Sequence, residues 1–270
     1  MGRVSMARAD RAAGRTRMSR PDPVQTPAVT GTRDQGVLFL CPTPIGNLED
    51  ITLRVIRVLK EADVVLAEDT RRTGLLLQHL GLKKPLVSYH DHSEHARMPG
   101  LVQELLEGRR MALVSDAGSP VLSDPGFLLV RGAISAGVRV EALPGPTALI
   151  PALTASGLRP HPFLYLGFLP RTRVKRQRLF ASIAQIEATL VAYEAPHRIR
   201  ESLADALQVL GPREACLARE ISKVHETYHR GSIARLLEEL PGFPVGEIVL
   251  LMAGFGQTFV HGVPFKSDTD

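Results

Sequence analysis

The 270 residues, 44% apolar and 23% charged, suffice for one large or two modest domains and exclude both a single small module and wholesale disorder. No apolar run approaches the roughly 18 residues that a membrane helix needs, so the chain reads as soluble and cytoplasmic with no membrane partner. The formal charge of +5 is uneven: residues 1–36 hold seven arginines against Asp10, Asp22 and Asp34, which leaves 26 bases against 25 acids in a nearly neutral body.

Residues 1–36 have almost no apolar periodicity and read as a disordered Arg-rich tail without the apolar stretch of a secretory signal. Only six of the 33 bases are lysine, a bias that looks genomic rather than a targeting signal. From Val37 onward short β-branched runs alternate with amphipathic helical runs, the pattern of a largely parallel sheet covered by helices. Strands are expected at 37–42, 63–68, 86–90, 111–116 and 138–144, with helices at about 50–62, 74–80, 93–107 and 127–136 between them. A boundary is expected in the Pro- and small-residue-rich stretch at 156–162. Beyond it, strands are expected at 163–169, 189–194 and 214–220, an exposed antiparallel strand at 225–232, and a strand at 247–254 closing the sheet. A basic helical segment follows 169, and a helix spans 196–211. The resulting division is an α/β domain over 37–156, a second over 157–256, and a flexible tail over 257–270. Cys41 and Cys216 sit inside apolar runs and read as small buried hydrophobes of a reducing compartment.

Four loops lie just beyond strand carboxyl ends, where open α/β sheets bind ligands. Pro42–Asn47 combines stiff prolines with Gly46 before a helix start, and is a turn when taken alone. Ala67–Arg72 places Glu68, Asp69, Arg71 and Arg72 together. Asp69 could accept a proton and Arg71 hold a phosphate, or the group could be a capped helix start with a local ion pair. Ser115–Gly126 contains two small-residue turns, Asp116-Ala117-Gly118 and Asp124-Pro125-Gly126. Pro144–Ala148 surrounds Gly145 with prolines and could let a flat group lie on the main chain, or could be a turn capped by Thr147.

In combination the segments TPIGNLEDITLR, AEDTRRT, VSYHDHSE, LVSDAGSPVLSDPG, LPGPTALIPALTASGL, GFLPR, YEAPHRI and ARE are far more specific. Over about 37–254 the chain resembles the ribosomal RNA small subunit methyltransferase I family of the tetrapyrrole methylase superfamily. Ser119, Val121-Leu122 and Thr147 depart from its usual pattern by small-for-small or loop changes. The resemblance implies two α/β domains with S-adenosylmethionine bound in the cleft between them, a homodimer, and 2′-O-methylation of cytidine 1402 in 16S rRNA of the 30S subunit. It places cofactor contacts at Pro44, Asp116, Ala117, Gly118, Thr147 and Ala148, with Tyr193, Glu194 and Gly246 at matching strand ends of the second domain.

Methyl transfer to a hydroxyl needs alignment, exclusion of water and somewhere for the proton to go. Asp69 and His90 are the leading acceptors, with Asp116 beside them; no metal is required. Five bases, Arg171, Arg173, Lys175, Arg176 and Arg178, occur in eight residues without an acid and are expected to meet rRNA phosphates. Aromatics total 5% and none accompanies this cluster, so base stacking is not expected as the main mode of binding. Two other readings stay open: a superfamily methyltransferase acting on a tetrapyrrole or protein side chain, and a non-catalytic RNA-binding assembly factor.

Overall fold

A computed structural model describes residues 36–239 and 245–257. The expected tails, apart from Gly36 and Gln257, lie outside the described residues.

The first sheet is built from β1 (Val37–Cys41), β2 (Val64–Ala67), β3 (Leu86–Ser88), β4 (Arg110–Val114) and β5 (Arg139–Ala142). All its strands are parallel, in the order β3-β2-β4-β1-β5. Its central strands are apolar at successive positions because helices cover both faces. Phe39, Cys41, Val65 and Val114 point to one face, under α1 (Leu53–Glu61) and α2 (Thr70–His79). Leu38, Leu66, Met111 and Leu113 point to the other, under α3 (Asp91–Leu106) and α4 (Phe127–Ser135). The expected helix at 50–62 is split. Asn47 caps a short 3₁₀ turn at Leu48–Asp50, and Thr52 Oγ1 then accepts the Val55 N–H at 3.1 Å to start α1.

After α5 (Leu149–Ala155), the second sheet takes β6 (Phe163–Phe168), β7 (Thr189–Glu194), β8 (Glu214–Arg219), β9 (Thr227–Ser232) and β10 (Ile248–Met252). Their order is β6-β7-β10-β8-β9, with only β6 and β7 parallel. Helices α6 (Arg173–Ser182), α7 (Ile199–Leu210) and α8 (Ile233–Glu239) cover one face, while α5 packs against the other. The last strand therefore does not close the sheet as expected. Five consecutive buried residues place β10 in its middle, and β9 is the exposed antiparallel edge. Helices α5 and α8, seven residues each, were not among the expected elements.

No helix among the described residues is long and apolar enough to cross a membrane.

Candidate active site

Strand order fixes the site. The chain leaves β1 toward β2 and leaves β4 toward β5 on the opposite side, so a crevice opens beyond the carboxyl ends of the adjacent β1 and β4. Backbone pairing stitches the loops beyond these ends: Thr43 and Gly118 exchange two N–H···O bonds of 2.9 Å. Thr43 Oγ1 donates to Ser115 O and Ser115 Oγ to Gly118 O, both at 2.9 Å, while Ser119 Oγ donates to Pro146 O at 3.2 Å. The Asp69 N–H donates to Asp116 Oδ1 at 3.1 Å, which brings in the loop after β2. The four loops are thus one hydrogen-bonded unit. Gly118 sits at φ +87°, where a side chain would be strained and would meet Ile45.

The second sheet supplies the opposite wall. In β10, antiparallel to β7, Ile248 lies beside Glu194, so the start of one strand and the end of the other reach the same place. The open cavity lined by both sheets is about 380 Å³. Glu68, Arg72, Asp116–Ser119, Leu122–Asp124 and Thr147-Ala148 line it from the first half of the body, and Phe168, Tyr193–Pro196, Ile221 and Glu247–Val249 from the second. A smaller cavity of about 250 Å³ adjoins it, containing Thr43, Pro44, Leu48 and Leu75. Arg72 and Asp116 line both cavities, and their ion pair at 3.5 Å stands between them.

Of the residues named as cofactor contacts, Asp116, Ala117, Gly118, Thr147, Ala148, Tyr193 and Glu194 line the main cavity. The Glu194 carboxylate itself is buried: it pairs with Arg198 and accepts hydrogen bonds from Ser202 Oγ and the Ala195 N–H. It anchors the end of β7. Pro44 belongs to the smaller cavity, with Ile45 in its place on the larger one. Gly246 does not line the cavity. At φ +100° a Cβ there would fall 2.5 Å from the Glu220 carboxyl, so this glycine shapes the turn before Glu247.

Both leading proton acceptors are displaced from the cavity. Asp69 caps α2: its Oδ1 accepts the Arg71 N–H at 2.8 Å, and its carboxylate pairs with the Arg71 guanidinium at 3.1 Å. That guanidinium holds the Asp69 carboxyl below its usual range. The local ion pair, one of the two readings of this loop, is therefore what forms, and Arg71 is engaged in it. His90 caps α3, its backbone N–H donating to Ser93 Oγ at 3.0 Å, and it is among the groups that oppose the burial-driven rise of the Glu68 pKa. Asp124, absent from the candidates read from the sequence, does line the cavity. The repeated small-residue turns around it were its sequence signal.

The basic cluster divides in two. Arg176 is 1% exposed: its Nε and Nη2 lie 2.8 and 2.6 Å from Asp205 Oδ2, with Pro170 O and Glu201 nearby. It is a core ion pair and not a phosphate contact, because reaching RNA would strand Asp205 in the interior. Arg173 shares Asp205 at 3.2 Å, while Arg171, Lys175 and Arg178 are exposed. Aromatic rings do gather, at the cavity and not on the basic helix. Tyr193 meets Tyr165 and Phe168 edge-to-face at 5.3 and 5.5 Å, and Phe168 is 59% exposed.

Known proteins resemble this chain in sequence and in fold. The family model of tetrapyrrole (corrin/porphyrin) methylases matches residues 37–237. Curated relatives called ribosomal RNA small subunit methyltransferase I include one from Streptococcus pyogenes serotype M1, 45% identical over 223 residues, covering 82% of this chain and 78% of that protein. Another, from Escherichia coli O157:H7, is 47% identical over 224 residues with the same shares. The crystal structure of uroporphyrin-III-C-methyltransferase from Thermus thermophilus superposes with a TM-score of 0.51 at 23% identity, over 82% of this chain and 92% of that one, a likeness of fold. The chain belongs to the tetrapyrrole methylase family and, within it, to the ribosomal RNA small subunit methyltransferase I group of methyltransferases.

Proposed function

We propose that this protein transfers a methyl group from S-adenosylmethionine to the ribose 2′-hydroxyl of a cytidine, position 1402, in 16S rRNA of the 30S subunit. The observation that carries this reading is the convergence of Asp116–Gly118, Thr147-Ala148 and Tyr193-Glu194 on one cavity within a methyltransferase family.

The residues present fit the donor. A cavity of about 380 Å³ is in the range of small-molecule sites. Glu68, Asp116 and Asp124 present carboxylates toward a cation, while Ile45, Ala117, Ala148, Ile221 and Val249 offer apolar surface to a flat ring. When bound, S-adenosylmethionine supplies an electrophilic methyl on a sulfonium. The chain's own work is then to hold, orient and exclude water. Gly118 and the small residues 147–148 let a ligand approach the main chain, and the interlocked loops hold that surface in place before binding.

For the RNA, Phe168 stands exposed at the cavity and Arg171 follows three residues later. That places one exposed base, Arg171, within about 10 Å along the chain of the rim, at roughly 3.3–3.6 Å per residue, with Lys175 and Arg178 further along the same segment. Arg171, Lys175 and Arg178 would hold phosphates, while Phe168 would take a face of the extruded nucleoside. The same reading makes the working unit a homodimer, with exposed Leu48 and Leu75 on the rim of the smaller cavity as apolar surface for a second chain. Sedimentation of the purified protein checks that.

The test is transfer from labelled S-adenosylmethionine to 30S subunits lacking the modification, with mass spectrometry of 16S rRNA fragments. A ribose-methylated cytidine is expected at position 1402. Donor binding without transfer to rRNA would favour a different methyl acceptor, and absence of donor binding would leave the RNA-binding assembly factor.

A further inference from the structure

Three carboxylates from the first half of the body, Glu68, Asp116 and Asp124, line the main cavity, and their surroundings differ. Asp116 accepts the Asp69 N–H and pairs with Arg72, so both of its oxygens are engaged. Glu68 is itself raised, first by burial and then by Asp116 and Asp91, but Arg72 and His90 oppose that rise. Asp124 has no such relief: after burial, the charges acting most on it are all negative, from Glu68 at the end of β2, Asp116 after β4 and Asp91 at the start of α3.

The segment carrying Asp124 is firmly held. Ser123 Oγ is 2.8 Å from Tyr165 Oη of the second sheet. On the other side, Glu94 Oε1 accepts the N–H groups of Gly126 and Leu128 at 3.1 and 2.9 Å. At the first anchor and two residues before it, Ser123 and Val121 take φ of 67° and 73°, and for a β-branched valine that is a genuine outlier. Such strain persists only where the surroundings over-determine it.

We propose that Asp124 is the general base of this site, accepting the proton of the attacking hydroxyl, a role that rests on the methyl-transfer reading given above. The hydroxyl oxygen forms its bond to the methyl carbon as the carbon–sulfur bond breaks. The bonding pair leaves with sulfur, and the hydroxyl proton passes to a carboxylate oxygen of Asp124.

Electrostatics support the assignment. Burial first, then its acidic neighbours, push the Asp124 carboxyl up to about 7, where a base is both available and strong enough to matter. Its charge is felt in turn by Tyr165 and Tyr193 across the cavity. A sulfonium beside it favours the ionised form, so donor binding near neutral pH should expel a proton.

Two measurements test this on the full chain. Calorimetry of S-adenosylmethionine binding at pH 7, in buffers of different ionisation enthalpy, should report proton release from the wild-type protein and none from Asp124→Asn. In single-turnover methylation of 30S subunits at saturating S-adenosylmethionine, Asp124→Asn should fall by about 10²–10⁴-fold and lose the rise of rate with pH, while its donor affinity falls only by about tenfold, the loss expected when one carboxylate facing a cation is neutralised. Melting curves establish that the variant is folded, and Asp124→Ser serves if it is not. A variant that transfers methyl within threefold of wild type, or that releases the same proton, overturns the proposal alone. No transfer to rRNA by the wild-type protein overturns the rRNA reading and this proposal with it.

Discussion

Arg176 shows how far a single residue's surroundings decide its role. Five bases in eight residues are legible in the sequence as a positive run, but the sign of a side chain does not say which way it points. A signal was available: on α6, Arg176 and the fully buried Phe180 stand four residues apart and so share a helix face, while Lys175 and Arg178 fall outside it. The partner, Asp205, is 29 residues away and emerges only from the packing of α6 on α7. The two kinds of base should therefore separate experimentally. Arg176→Ala leaves a buried carboxylate uncompensated and is expected to cost about 3–5 kcal/mol, read as a lower midpoint in denaturant unfolding. Replacing Arg171, Lys175 and Arg178 together with alanine should leave that midpoint nearly unchanged. It should weaken rRNA binding and reduce the slope of log K against log salt by about two to three. Asp69 carries the same lesson, since a carboxylate at a strand end reads equally well as a base or as a helix cap. Only the position of Arg71 beside it separates the two.

Among elements, the five parallel strands and their four helices were readable because the central strands β1, β2 and β4 are almost wholly apolar runs between amphipathic stretches. Missing from that reading were α5, which carries a proline within seven residues, and α8, equally short; neither spans enough turns for a period to show. The misplacement of β10 has a different cause. Order along the chain is not order across a sheet, although IVLLM, apolar on both faces, fits a central strand better than an edge. The segment before α4 depends on one acceptor that no local pattern announces. Glu94, buried on α3, receives the Gly126 and Leu128 N–H groups and the Tyr89 hydroxyl. Glu94→Ala should cost about 1–3 kcal/mol by leaving a buried Gly126 N–H without an acceptor. It should also weaken S-adenosylmethionine binding, because the segment bearing Leu122–Asp124 loses one anchor. Chemical denaturation and calorimetry read the two effects separately.

At the scale of the whole molecule, the two halves divide the labour. An all-parallel sheet collects loops at its carboxyl edge, and a mixed sheet, with β10 inserted antiparallel between β7 and β8, brings strand ends of both directions to face them. The acidic groups that the first half gathers around Asp124 make stability depend on pH. Asp124, raised to about 7 in the folded chain against an ordinary value near 3.8, binds its proton more tightly when folded. Its contribution is thus fully present below about pH 4 and lost as pH rises through 7. Without donor, Asp124→Asn should melt above the wild-type protein at pH 8, and the gap should close as pH falls toward 4, as read by thermal denaturation. The two thiols behave oppositely to reactive ones: burial pushes Cys41 up to about 12 and Cys216 to about 11. Neither should react with a thiol reagent at pH 8 until the chain is unfolded.

The aromatic group at the cavity has an optical consequence. The chain contains no tryptophan and four tyrosines, so its near-ultraviolet emission is tyrosine emission alone. Tyr165 and Tyr193, in edge-to-face contact, are two of those four emitters, and Tyr193 lines the cavity. About half of the intrinsic fluorophores therefore report on the site, with no dye attached. Titration with S-adenosylmethionine should change the emission in proportion to occupancy, and Tyr193→Phe should remove much of that change.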